Sequence, residues 1–173
     1  MQTAPGPGTD LTTTFTQLVE THQKKLLNLC YMLLRDRAQA EDAVQEAFLK
    51  AYRALPSFRG ECSVKSWLTR IAVNVCRDMQ RSSWFTRLNR AVTPDDLPEC
   101  AATQDDAEAL CLSDAILRLG AKDREVVLLY FYQNLTMPEI ATALSLSAST
   151  VSRRLKSACS KLRRALGEED DHG

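Results

Sequence analysis

The sequence has few histidines, glycines and prolines and no net charge, and each shortage removes a class of protein. His22 and His172 are the only histidines, and none of the six cysteines lies in a CxxC pair, so no metal site is expected. Six glycines and six prolines among 173 residues, with 45% hydrophobic residues, exclude collagen-like and wholly disordered chains. No stretch reaches the roughly 18 apolar residues of a membrane span. The opening MQTAPGPGTD lacks the basic start and apolar run of an export signal. No membrane insertion is expected, and the cytoplasm is the default location. There is also no Gly-rich phosphate loop, GxSxG or HExxH, which argues against an enzyme, a cofactor or a small-molecule substrate.

The missing net charge hides an uneven distribution. Twenty-two Lys and Arg balance twenty-two Asp and Glu over the whole chain. Residues 58–90 nevertheless carry seven cations against two acids, and residues 91–125 carry three against nine. All six cations beyond residue 125 lie between Arg153 and Arg164, with no acid among them. Such asymmetry points to two surfaces that meet a polyanion, separated by a stretch that avoids it.

Apolar periodicity supplies the elements. Leu11, Phe15, Leu18, His22, Leu26, Leu29 and Leu33 recur at steps of three and four, one face of a long helix with His22 as a packed or edge group. A second helix over about 38–55 buries Val44, Phe48, Tyr52 and Leu55 and stops at Pro56. A third, from near Ser63, buries Val64, Trp67, Leu68, Ile71 and Val75. Trp84 and Phe85 beyond it read as packing groups. Further on, a short helix near 107–119, another over 122–132 and a pair broken at Ser145-Leu146-Ser147 are expected. Nothing alternates at period two, so the chain is expected to be all-α.

The organisation follows: a disordered arm at 1–10, a helical bundle at 11–90, an acidic linker at 91–106, a four-helix domain with a helix-turn-helix at 107–166, and an acidic tail at 167–173. The cysteines read as reduced packing groups, with Cys62 and Cys100 the loop exceptions open to oxidants.

Three surfaces stand out. On the last helix Val151, Leu155, Ala158 and Leu162 turn inward, and at about 100° per residue Ser149, Arg153, Lys156 and Ser157 turn outward, flanked by Arg154 and Arg164. Hydroxyls and cations suit base edges and phosphates. On the third helix Arg70, Asn74, Arg77 and Arg81 form one stripe suited to a phosphate backbone, after a loop with Phe58, Arg59 and Lys65 that can accept an unstacked base. The second helix instead presents Glu41, Asp42, Gln45, Glu46 and Leu49, acids and amides around an apolar centre, which suits a protein partner.

EDAVQEAFLKAYRAL at 41–55, FRGECSVKSWLTRIAVNVCRD at 58–78 and DREVVLLYFYQNLTMPEIATALSLSASTVSRRLKSACSKLRRAL at 123–166 resemble, in order, the motifs of an extracytoplasmic-function sigma factor of bacterial RNA polymerase. The resemblance implies an initiation factor that binds core RNA polymerase and promoter DNA and commonly meets an anti-sigma factor. It implies docking on core enzyme through Glu41, Asp42, Gln45, Glu46 and Leu49. Contact with the melted minus-ten element falls on Phe58, Arg59, Lys65, Arg70, Asn74, Arg77 and Arg81. The minus-thirty-five element falls to Ser149, Thr150, Ser152, Arg153, Arg154, Lys156 and Ser157. The acidic linker resembles the segment threaded toward the RNA path. The chain departs from the family at Ser145, where glycine is usual in the turn, and at Ser152 and Ser157, where arginines often occur. A stand-alone helix-turn-helix regulator, binding a duplex operator as a symmetric dimer, is the alternative.

Overall fold

A computed structural model of the chain describes residues 11–87 and 104–167, with side chains over 13–82 and 111–167. The elements are α1 (Leu11–Leu34), α2 (Arg37–Ala54), α3 (Val64–Arg87), α4 (Gln104–Arg118), α5 (Ala121–Val127), α6 (Met137–Leu144) and α7 (Ala148–Ala165). A 3-10 turn, Leu55–Ser57, follows α2, and a π turn, Leu128–Tyr132, follows α5. The described residues contain no strand, in keeping with an all-α chain. The chain divides between Val92 and Thr93 into two compact units.

In the first unit α1 ends where Arg35 takes a left-handed φ of 59°, its N–H donating to the Tyr31 carbonyl at 2.7 Å. Asp36 then caps α2: its carboxylate accepts from the Gln39 backbone at 2.9 Å and from the Gln39 amide at 3.2 Å. Ala40, Ala43, Ala47 and Ala51 are all fully buried, so small side chains let α2 lie close to its neighbours. Leu26, Leu29 and Cys30 of α1 and Leu68, Ala72, Val73 and Cys76 of α3 complete the core. Gln80 donates its amide to the Leu33 carbonyl at 3.0 Å, tying α3 to the end of α1.

Some expected core positions move outward. Tyr52 is 49% exposed, its ring edge-on to that of Phe15 at 5.0 Å between centroids. Val64 and Ile71 are half-buried, whereas Trp67, Leu68, Val75, Val44, Phe48 and Leu55 are buried as the periodicity requires. The side chains of Trp84 and Phe85, the arm at 1–10 and residues 168–173 lie outside the described residues, as does most of the stretch 91–106, within which α4 opens at Gln104.

The second unit is built on Val126, Val127, Leu128, Leu129, Ile140, Val151 and Ala158. The buried guanidinium of Arg124 donates to the carbonyls of Leu117 (2.9 Å) and Leu119 (3.1 Å), satisfying acceptors that the end of α4 leaves open. The helix expected through Tyr132 instead loosens into the π turn after Val127. That turn rotates Phe131 (56% exposed) and Tyr130 out of the core as an edge-to-face pair with centroids 4.9 Å apart.

Candidate nucleic-acid interface

The turn that orients α7 is specified residue by residue. Thr136 and Glu139 form a reciprocal capping box at the start of α6. The helix closes with Ser145 at φ 53° and ψ 48°, the Ser145 N–H directed at Thr142 (3.3 Å) and the Leu146 N–H at Ala141 (2.9 Å). This left-handed closure is the conformation glycine adopts most readily. Serine takes it here, so the helix closes left-handed without the glycine that is usual at this position. Ser147 then caps α7, accepting from the Thr150 N–H at 3.2 Å.

With Val151, Leu155, Ala158 and Leu162 buried, the opposite face of α7 exposes Ser149, Arg153, Lys156 and Ser157, while Thr150, Ser152 and Arg154 are half-buried at its margins. Two hydroxyls of the expected base-reading set are already engaged: the Ser147 Oγ lies 3.0 Å from the Ser149 Oγ and 2.8 Å from the Thr150 Oγ1. Nearer the helix end, Lys161 pairs with Asp123 and Arg164 donates to Ser160.

In the first unit, Pro56 and the left-handed Gly60 (φ 73°) turn the chain between α2 and α3. Ser63 starts α3, its Oγ accepting from the Ser66 N–H at 3.0 Å. Phe58 is half-buried, its ring 4.8 Å from that of Trp67 at 35°, so one face of the phenyl is occupied and the loop is anchored by it. Arg59 is exposed and Lys65 half-buried. Along α3, Asn74 and Arg81 are exposed and Arg70 and Arg77 half-buried, with Asp78 4.0 Å from Arg81. The stripe expected from the sequence is therefore on one side of α3, backed by buried Leu68, Ala72, Val75 and Cys76.

On α2, Glu41, Asp42 and Gln45 are exposed, Glu46 is half-buried and Leu49 is 52% exposed at their centre. Arg37 pairs with Glu41 at 3.1 Å and Lys50 with Glu46 at 3.7 Å, exposed pairs one helical turn apart. His22 is half-buried on α1. Burial lowers its pKa, and Lys65 and Lys25 lower it further.

Among the described cysteines, Cys30 and Cys76 are buried, Cys62 and Cys159 half-buried and Cys111 exposed; Cys100 lies outside the described residues. The exposure of Cys111 differs from the expected packing role. No group of His, Cys, Asp and Glu among the described residues is placed to hold a metal ion, and no helix there is long and apolar enough to cross a membrane. Sequence reasoning missed the Tyr130–Phe131 pair, because Leu128-Leu129-Tyr130-Phe131-Tyr132 reads as an unbroken buried run.

Two family models match the chain, Sigma-70 region 2 over residues 18–86 and Sigma-70 region 4 over residues 115–164. The extracytoplasmic-function (ECF) RNA polymerase sigma factor SigM of Mycobacterium tuberculosis is 33% identical over 153 residues, covering 88% of this chain and 77% of SigM. The chain belongs to the ECF sigma factors of the sigma-70 family. Sigma factors are transcription initiation factors rather than catalysts, and this one directs RNA polymerase to promoters. The sigma factor is also similar to CnrH, solved in complex with the cytosolic domain of CnrY, at 25% identity and a TM-score of 0.66, covering 92% of this chain and 91% of CnrH. It shares the fold of the sigma factor RpoE, solved with the anti-sigma factor NepR from Bartonella quintana, at 21% identity and a TM-score of 0.77 over 92% of this chain and 99% of RpoE.

Proposed function

We propose a division of labour among three surfaces of this sigma factor. The α2 face of Glu41, Asp42, Gln45, Glu46 and Leu49 docks on core RNA polymerase. The loop Phe58–Lys65 and the α3 stripe of Arg70, Asn74, Arg77 and Arg81 hold the melted minus-ten strand. The exposed face of α7, from Ser149 to Ser157, enters the groove of the minus-thirty-five element. Because Ser149 and Thr150 share the cap hydroxyl, base reading falls mainly to Ser152, Arg153, Lys156 and Ser157, with Arg154 on phosphate. Domain limits of 11–90 and 107–166, joined by a linker at 91–106, suit this division.

The observation that carries the reading is the face of α7: four apolar residues buried behind a surface of hydroxyls and cations with no acid from Ala148 to Leu166. CnrH was solved with a protein bound, which supports an anti-sigma factor as a further partner of this chain. The cytoplasm, where core enzyme and promoter meet, is the proposed location.

Two small units on a linker bind a bipartite site usefully only when a larger body fixes their spacing. A mobility shift with promoter fragments is therefore expected to show a specific complex with core polymerase and almost none with the isolated chain. Tight, sequence-specific binding by the isolated chain would instead identify a stand-alone regulator.

A further inference from the structure

The outward face of α7 extends beyond the part assigned to base reading. At about 100° per residue, Arg163 and Arg164 fall just to either side of Lys156 and Arg153, so the four cations share an arc about 100° wide and form one ridge along the helix. All four are exposed, and Arg153, Lys156 and Arg163 make no ion pair among the described residues. Directly after the helix come four consecutive acids, Glu168, Glu169, Asp170 and Asp171. Their position is electrostatically unfavourable with respect to the helix itself, whose C-terminus carries the negative end of the macrodipole. Arg163 and Arg164 in the last turn are the nearest compensation.

The chain leaves α7 through a sharp turn. The Leu166 N–H donates to Leu162 at 2.9 Å, and Gly167 takes a φ of +76°. Four extended residues span about 13 Å. At about 1.5 Å of helix rise per residue, that length reaches back roughly as far as Ser157. Long arginine and lysine side chains cover the remaining distance to Lys156. A segment tethered this closely is present at an effective concentration on the order of millimolar.

We propose that the acidic run Glu168–Asp171 is a tethered competitor for the cation ridge of α7. In the free chain its carboxylates screen Lys156, Arg163 and Arg164 from nucleic acid, and promoter phosphates displace them once polymerase holds this unit on its site. The occupant is a segment of the chain itself, chosen by charge complementarity and reach. The proposal rests on the reading of α7 as the DNA-facing helix.

The test is fluorescence anisotropy of the full chain with a labelled duplex at low ionic strength. Three variants are compared: E168Q/E169Q/D170N/D171N, insertion of about twenty Gly/Ser residues after Gly167 to dilute the tether at constant charge, and R153E/K156E/R163E. Neutralising the acids is expected to tighten duplex binding about fivefold, the size of two or three exposed charge pairs. The spacer is expected to give part of that gain, and the ridge reversal to remove it. An unchanged affinity on neutralisation overturns the proposal, as does a gain that the spacer fails to reproduce in part, because overall charge then accounts for it. If the ridge reversal leaves duplex binding intact, the assignment of α7 to DNA fails instead.

Discussion

Ser145 bears a conformational cost that glycine would not. A non-glycine residue in the left-handed region costs roughly 1–2 kcal/mol, offset in part by the greater entropy glycine loses on folding, about 0.5–1 kcal/mol. Ser145→Gly is expected to stabilise the second unit by about 0.5–1 kcal/mol, read as a higher urea midpoint at unchanged slope. His22 gives a residue-scale prediction of a different kind. Burial first, then Lys65 and Lys25, hold its folded pKa below the unfolded value of about 6.5. The unfolded chain therefore binds a proton before the folded one does. Stability is undiminished above about pH 6.5 and falls as pH drops from there toward the lowered folded value. His22→Gln removes that component. A urea midpoint for the variant that declines between neutral pH and about pH 5.5 as steeply as that of the parent would refute the assignment.

At the scale of elements, the reading of α2 and α3 separates into two independent losses. Arg77→Ala with Arg81→Ala removes cations from the α3 stripe while leaving the α2 face untouched. Open-complex formation is expected to fall about tenfold or more, since phosphate contacts carry much of such affinity, while core binding in a pull-down stays near the parent level. Charge reversal at Asp42 and Glu46 is expected to do the opposite, with core binding lost first. The faces themselves were legible because each repeats at helical spacing against buried partners such as Leu68, Val75, Val151 and Leu155. Less legible were positions where size, not polarity, decides. Tyr52 continues the step of four from Val44 and Phe48 yet lies outside, because each such step drifts about 40° round the helix and carries it off the face centred on the buried alanines from Ala40 to Ala51. The π turn was hidden for a related reason. Its five apolar residues give no periodic hint that Leu128 and Leu129 go inward while Tyr130 and Phe131 go out. Within the candidate site, residue types predicted exposure well but not engagement. The Phe58–Trp67 contact and the hydroxyl group around Ser147 depend on tertiary geometry and rotamers.

On the scale of the whole molecule, the division into two compact units, each with its own apolar core, predicts two separable responses to destabilisation. Arg124 probes this from the second unit. Its guanidinium is buried and serves two carbonyls at the end of α4, so Arg124→Met removes charge-assisted hydrogen bonds and strands their acceptors, at a cost of about 3 kcal/mol. His22 lies in the other unit and acts through pH. In urea or thermal unfolding followed by a probe in each unit, Arg124→Met is expected to lower only the transition of the second unit. Lowering pH through the His22 window is expected to lower only that of the first. Effects at independent sites add within about 0.3–0.5 kcal/mol, so the double perturbation should equal the sum of the two. A single shared transition, shifted by either perturbation alone, would mean that the units stabilise each other in the free chain. The linker would then not be the only thing joining them, and the need for polymerase to set their spacing would lose its physical basis.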